Sequence, residues 1–138
     1  MAILTEDLVV ESVCEHLSAA GWTIEARAAL TQQGYDVVAV RDGRRLIIEA
    51  KGEGSAREGS ARFGKTFSTS QVFDHVGKAV LKAMRVCDLG HLGAVALPAD
   101  PRHQAEVALV SRSLSRLSIG VFWVSAERAV TLNAPWSL

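Results

Sequence analysis

The sequence predicts a single α/β domain over residues 1–138, in which helices flank a central mixed sheet in the order αβββαβαβ. Segments with apolar residues at helical spacing alternate with short runs rich in Val, Ile and Leu that end at Gly or Pro. The early runs follow one another directly and favour an antiparallel meander, whereas later runs are separated by helices, which favours parallel pairing. Apolar residues make up 49% of the chain, enough for one core.

Helix and strand boundaries follow from capping residues and turn residues. Thr5 is a good N-cap, acids in the next two positions suit a helix N-terminus, and Gly21 ends this first helix. The further elements are predicted as strands at 22–28, 37–40 and 46–48, a helix at 71–87 capped by Ser70, a strand at 92–98, a helix at 100–117, a strand at 120–124 and an edge strand at 128–132. The helix at 71–87 is expected to bury Val72, Val76, Ala79, Val80, Ala83 and Met84.

The strands at 37–40 and 46–48 are joined by Arg41-Asp42-Gly43-Arg44, and Asp-Gly between apolar runs is a strong hairpin signal. In an antiparallel pair the start of one strand lies beside the end of the other, so Asp36 should lie beside Glu49 and Lys51. Glu49 and Lys51 are two residues apart and leave the same face of the strand. Two carboxylates that converge in this way suit Mg²⁺ or Mn²⁺, and the backbone carbonyl of Ala50 is a candidate further ligand.

The pattern of Asp36 followed by Glu49-Ala50-Lys51 resembles the PD-(D/E)xK nuclease superfamily, which has the restriction-endonuclease-like fold also found in Holliday-junction resolvases. The resemblance implies that Asp36 and Glu49 bind the metal and that Lys51 is the catalytic lysine. Tyr35 stands where that pattern has Pro. An ammonium group between two carboxylates stays protonated, so we expect Lys51 to stabilise charge rather than to accept a proton.

Members of this superfamily often supplement the metal site with a Glu from the first helix. Helical-wheel geometry places Glu6 on the same side as Val10 and Val13, so Glu6 is the preferred candidate and Glu11 the second. The alternative is that Glu6 only caps the helix in solvent. Related nucleases also direct a Gln or Lys from the start of the following helix at the water or phosphate, which implies roles for Gln71 and Lys78.

Residues 52–70 are rich in Gly and Ser and show no periodicity, so we expect a flexible loop that engages substrate or serves as a solvated linker. If it engages substrate, Arg57, Arg62 and Lys65 are the candidate phosphate contacts. The net charge of the chain is zero, which argues against strong non-specific nucleic-acid binding. Residues 41–85, however, carry ten Lys and Arg against five acids and form a candidate phosphate-facing segment.

Composition also limits where such a protein acts. No apolar stretch reaches the roughly 18 residues that a membrane span needs, and the N-terminus lacks a signal-peptide pattern. The two cysteines are too few for a disulfide framework or a zinc site. We therefore expect a cytoplasmic protein with no membrane partner.

Three functional hypotheses follow. The first is a Mg²⁺- or Mn²⁺-dependent nuclease, most simply a DNA endonuclease. A homodimer is a candidate assembly for it, because nucleases of this fold are often dimers and a duplex has two strands. The second is a catalytically inactive module that binds nucleic acid or protein in a defence or repair complex. The third is an unrelated α/β protein, in which the carboxylates of Asp36 and Glu49 would lie too far apart to share a metal ion.

Overall fold

The computed structural model describes residues 3–27, 34–54 and 65–138. Within these ranges the chain forms four helices and six strands. The helices are α1 (Glu6–Ala19), α2 (Thr69–Asp88), α3 (Pro101–Ala108) and α4 (Ser111–Arg116). The strands are β1 (Thr23–Arg27), β2 (Val37–Arg41), β3 (Arg44–Ala50), β4 (Leu92–Pro98), β5 (Gly120–Val124) and β6 (Val130–Asn133).

The strands form one open sheet in which spatial order follows chain order from β1 to β6. β1, β2 and β3 are antiparallel, β3, β4 and β5 are parallel, and β6 returns antiparallel to β5. The change to parallel pairing occurs where α2 connects β3 to β4, as expected for a helical crossover. The predicted mixed α/β architecture is confirmed.

Helices cover both faces of the sheet. α1 packs on one face, where its buried residues Val9, Val13 and Leu17 contact inward residues of the strands. α2, α3 and α4 pack on the other face, around Val95 and Val121. The central strands are therefore buried on both sides, which explains why β4 reads as a continuous apolar run.

The β2–β3 hairpin has the predicted turn. Asp42 and Gly43 have φ angles of +50° and +76°, so both central residues adopt the positive φ of a type I′ turn. The register pairs Arg41 with Arg44 and Val37 with Ile48. This turn therefore sets which residues meet at the far end of the hairpin.

The chain after β3 runs against the start of α1. The backbone N–H of Glu53 donates to the carbonyl oxygen of Leu4 at 2.8 Å, and the N–H of Leu4 donates to Glu53 Oε1 at 2.7 Å. Gly52 precedes Glu53 in the chain, and a Cβ added to Gly52 would come within 2.5 Å of the backbone nitrogen of Glu6. The close approach needs Gly, and it fixes the first turn of α1 beside the end of the hairpin.

The ends of the predicted loop are structured. Residues 55–64 lie outside the described residues, but Gly54 forms an antiparallel bridge with Thr66, and the N–H of Phe67 donates to the carbonyl of Glu53 at 2.8 Å. The prediction of one structureless segment over 52–70 is therefore wrong at both ends. Backbone hydrogen bonds hold the two ends of this segment together, and such bonds cannot be predicted from its Gly- and Ser-rich composition.

α2 differs from its prediction at its start and along one face. It begins at Thr69 and is capped by Ser68 rather than Ser70, because Ser68 and Gln71 form a capping box. Met84 was expected to be buried but is 41% exposed, since the buried stripe passes through Ala83 and Val86 instead.

None of the described helices is long and apolar enough to cross a membrane.

The helix predicted over 100–117 is interrupted. α3 ends at Ala108, and α4 begins at Ser111 after Val110, which has φ −126° and ψ 13°. The Ser111 hydroxyl donates to the carbonyl of Ala108 at 3.4 Å, a local contact that competes with helical hydrogen bonding.

The two edge strands are shifted slightly from their predicted positions. β1 begins one residue later than predicted and β6 begins two residues later, and Ala28 lies outside the described residues.

Gly52→Ala tests the contact between the hairpin end and α1. The added methyl would overlap the backbone of α1, so the free energy of unfolding should fall by about 1–3 kcal/mol, as in overpacked cores. Gly77→Ala is the matched control, since it lies in α2 with open space around its Cα and should stabilise by about 0.5–1 kcal/mol. Urea denaturation measures both. Equal effects of the two variants would contradict the close approach.

Candidate active site

The hairpin register brings two acids together at the end of the β2–β3 ribbon. Val37 pairs with Ile48, so the preceding Asp36 lies beside Glu49. Asp36 Oδ2 accepts the backbone N–H of Ala50 at 2.8 Å, which holds this carboxylate against β3. The predicted juxtaposition of Asp36 and Glu49 is present.

The two sides of β3 have different chemistry at this end. Ala50 is buried in the core on the α1 side. Glu49 and Lys51 leave the opposite face, beneath α2, as their spacing of two residues predicts. The site is therefore a polar patch on the α2 side of the sheet, at the carboxyl end of β3. The ligand role predicted for the Ala50 carbonyl stays a prediction.

Glu49 is the buried acid of the site. Its side chain is 2% exposed, and Oε2 lies 3.4 Å from Lys82 Nζ on α2. Burial raises the pKa of Glu49 to about 7, the negative charge of Asp36 adds to the rise, and the Lys82 ammonium group opposes it. The carboxyl groups of Asp36 and Glu49 are thus close enough to affect each other's charge. This disfavours the third hypothesis, in which they lie too far apart to share a metal ion.

The second oxygen of Glu49 is unusual. Within the described part of the chain, the buried Oε1 atom has no hydrogen-bond partner. A buried polar atom without a partner costs free energy, and such atoms in native structures call for an explanation. Glu49 also lies within side-chain hydrogen-bonding reach of Asp36, so a proton or a cation shared by the two carboxylates would provide one.

α1 contributes Glu6 rather than Glu11. The pKa of Glu6 is raised, first because surrounding protein removes solvent and then because the charge of Asp36 lies nearby, while Lys51 opposes the rise. Glu6 is exposed at the first turn of α1, so it is not enclosed in the core, and its predicted role as a supplementary ligand stays a prediction. Glu11 lies 3.5 Å from Arg128 Nη2 and is held away from the hairpin end.

α2 presents Gln71, His75, Lys78 and Lys82, which recur at helical spacing along one side. The side-chain oxygen of Gln71 takes part in the capping box, because Oε1 accepts the N–H of Ser68 at 2.9 Å. This contact leaves its amide nitrogen as the group that can reach substrate. The role of Gln71 at the water or phosphate stays a prediction, in which its amide nitrogen would donate the hydrogen bond.

His75 lies beside Lys51. Burial lowers the pKa of His75, and the positive charges of Lys51 and Lys78 lower it further. Its ring packs edge-on against Phe67 with centroids 4.5 Å apart, and its buried Nδ1 has no hydrogen-bond partner among the described residues. A neutral imidazole next to the catalytic lysine candidate is a potential proton acceptor.

The candidate phosphate contacts are only partly placed. Arg57 and Arg62 lie outside the described residues. Lys65 is exposed, and its backbone lies against Gly54, three residues beyond Lys51. Lys78 is exposed on α2 and is close enough to His75 to affect its pKa.

Sequence reasoning missed two features. The first is Lys82, which lies on the same side of α2 as His75 and Lys78 and pairs with Glu49. The side of α2 that covers Glu49 depends on tertiary packing, and no local sequence pattern indicates it.

The second feature is the pair of Asp100 and buried His103, whose Oδ2 and Nδ1 atoms are 2.8 Å apart. Burial would raise the pKa of Asp100, but hydrogen bonds from His103 lower it overall.

The donor set fits a metal ion that keeps several water ligands. No group of three His, Cys, Asp or Glu side chains within residues 3–27, 34–54 and 65–138 is arranged to hold a metal ion. Mg²⁺ is commonly bound by one or two carboxylates, with water and substrate phosphate completing its shell. Asp36 and the unpartnered oxygen of Glu49 meet that smaller requirement.

The chain is similar to a protein-family model and to solved structures. The family described as Protein NO VEIN, C-terminal, matches residues 5–66, a range that includes Glu6, Asp36, Glu49 and Lys51. No curated protein matches the chain. Among solved structures, SfsA of Pyrococcus furiosus in complex with Ca²⁺ is similar with a TM-score of 0.41 and 12% sequence identity. That match covers 94% of this chain and 59% of SfsA, so this chain spans less than two thirds of it.

The raised pKa of Glu49 predicts a pH-dependent stability. Its folded pKa of about 7 exceeds the reference value of 4.5, so its stabilising contribution is complete below pH 4.5 and is lost as the pH rises through 7. Glu49→Gln removes this loss, and at pH 8 in EDTA it should raise the free energy of unfolding by on the order of 3 kcal/mol. At pH 4 the two proteins should be nearly equal.

Denaturation at the two pH values measures the difference. Glu25→Gln is the control, because Glu25 forms a half-exposed ion pair with Arg45 at 3.3 Å and should change stability by less than about 1 kcal/mol. A Glu49→Gln protein that is less stable than the wild type at pH 8 would contradict the burial of a charged Glu49.

Proposed function

We propose that this chain is a divalent-metal-dependent nuclease of the PD-(D/E)xK type, with a restriction-endonuclease-like fold, that hydrolyses phosphodiester bonds of nucleic acid, most simply DNA. One observation carries the proposal: Asp36 lies beside the buried Glu49 at one end of the hairpin, and Lys51 follows two residues later on the same face of β3. Such a buried acid lowers stability, and a catalytic metal site is a reason to retain it.

Each residue has a defined role in this proposal. Asp36 and Glu49 would hold Mg²⁺ or Mn²⁺, and Glu6 supplements their charge from the start of α1. The bound metal would polarise the phosphate and lower the pKa of a water molecule. Lys51 neutralises negative charge that develops on the phosphate during attack. His75, whose pKa is lowered by burial and by neighbouring lysines, would accept the proton that the attacking water loses.

Nucleic acid would approach over the α2 side of the hairpin end. Lys65 and Lys78 are exposed near this edge and would contact phosphates, as would Arg57 and Arg62 in the neighbouring segment. Contacts of this kind position the backbone without reading the base sequence. A homodimer would place one such site on each strand of a duplex.

Asp36→Asn and Lys51→Met test the catalytic assignment. Each should reduce Mg²⁺-dependent cleavage roughly 100-fold or more, because each removes charge that stabilises the reacting phosphate. Asp36→Asn keeps an oxygen that can accept the Ala50 N–H, so the hairpin should stay folded. The assay compares initial rates on single-stranded, duplex and branched DNA and RNA.

Asp42→Asn is the matched control for this assay. Asp42 lies at the turn of the same hairpin with φ +50°, a conformation that Asn tolerates, and its side chain is 81% exposed. This variant should cut as fast as the wild type. If Asp36→Asn and Asp42→Asn cut equally well, the catalytic assignment is wrong.

The second candidate is a module that binds nucleic acid without cutting it. One observation favours it: Glu49 already has a cationic partner in Lys82, so part of the buried charge is compensated without metal. In that case the wild type would cut none of these substrates with Mg²⁺ or Mn²⁺ but would bind at least one of them in EDTA. Salt-dependent binding without cleavage would then replace the nuclease function.

A further inference from the structure

The ion pair between Glu49 and Lys82 joins a fixed group to a movable one. Glu49 is 2% exposed and is held in β3 between β2 and β4. Lys82 is 47% exposed on the surface of α2, and its long side chain has several rotatable bonds. Of the two partners, only Lys82 can leave the pair without disturbing the sheet.

Lys82 compensates Glu49 incompletely. Its ammonium group lies 3.4 Å from Oε2, while the buried Oε1 has no hydrogen-bond partner in the described ranges. The ionised carboxylate thus retains one oxygen that Lys82 does not contact, and the charge of nearby Asp36 adds to the negative potential. This potential attracts a cation of higher charge than ammonium.

A divalent ion and the Lys82 ammonium group cannot both occupy this place favourably. Both are attracted to the same carboxylate, and like charges a few ångströms apart in a partly buried site repel each other. Lys82 contacts Oε2 and the metal would bind Oε1, but the two oxygens belong to one carboxylate, so the two cations would lie within a few ångströms of each other.

We propose that Lys82 is the resident counter-ion of Glu49 and competes with the divalent metal for this carboxylate, so that metal binding requires the ammonium group to leave. The inference rests on the proposed metal site and adds its regulation. In the metal-free protein Lys82 stabilises the buried charge, and on metal binding it is released to the surface over which nucleic acid approaches. The apparent metal affinity is therefore set partly by Lys82.

Calorimetric titration with Mg²⁺ tests this competition. The titrations are run at pH 8.5, where Glu49 is mainly ionised, on the wild type, Lys82→Met and Arg85→Met. Loss of the competing ammonium should tighten Mg²⁺ binding by roughly tenfold or more, since a neighbouring charge within a few ångströms has effects of this size. Arg85→Met removes the same charge one turn further along α2 and should change the Kd by less than about twofold.

Thermal unfolding gives a readout that needs no catalysis. In EDTA, Lys82→Met should lower the Tm because it leaves a buried carboxylate without its cation. Addition of Mg²⁺ should then raise the Tm more in Lys82→Met than in the wild type. Lys82→Gln, which keeps a polar group near Glu49 but removes the charge, should behave in the same way. Equal Mg²⁺ affinity in the three titrated proteins, together with an equal Tm gain in the wild type, Lys82→Met and Lys82→Gln, would overturn the proposal.

The competition and the nuclease function fail separately. If the wild type cuts nucleic acid but Lys82→Met binds Mg²⁺ no more tightly, Lys82 is not the competing counter-ion and the nuclease function stands. If Lys82→Met binds Mg²⁺ more tightly but neither protein cuts any substrate, the counter-ion role stands and the nuclease function is wrong. If neither the wild type nor Lys82→Met binds Mg²⁺, both proposals are overturned.

Discussion

A buried carboxylate must have a cation or a proton nearby, and Glu49 imposes this requirement on its surroundings. Its pKa of about 7 reflects burial first and the charge of Asp36 second. Lys82 supplies a positive charge from α2, and Lys51 leaves the same face of β3 two residues along. The arrangement lowers stability at neutral pH and concentrates negative potential at one point, which is the property a divalent-metal site needs. The burial of Glu49 beside Asp36 thus accounts both for the lost stability at neutral pH and for the proposed metal binding.

The hairpin could be predicted because its determinants are local. Asp42-Gly43 fixes the turn through positive φ at both positions, and the alternation of buried residues fixes the register. A shift of one residue would have moved Glu49 and Lys51 to the α1 face of the sheet. Once the register is set, the meeting of Asp36 with Glu49 follows from the chain direction alone. The α/β order could be read for the same reason, since helical and strand periodicities are local properties.

The remainder of the site depends on packing that no local pattern reports. The sequence shows that His75, Lys78 and Lys82 share a side of α2, but the rotation of α2 over the sheet decides that Lys82 reaches Glu49. Glu6 reaches the site because the chain at Gly52 approaches the first turn of α1 closely, a long-range contact. The break after Ala108 depends on a weak Ser111 hydrogen bond, which helix propensity alone does not resolve. Long-range contacts therefore limited the prediction more than residue chemistry did.

The central claim is that Asp36 and Glu49 share a divalent metal ion. Anomalous diffraction at the manganese absorption edge, from crystals grown with Mn²⁺, locates the ion directly. The account predicts one strong peak in contact with both carboxylates, with the Lys82 ammonium group displaced from Glu49, and no such peak in crystals of Asp36→Asn. Well-ordered wild-type crystals that show no peak at this position, or show the Lys82–Glu49 pair intact beside a metal bound elsewhere, would contradict it.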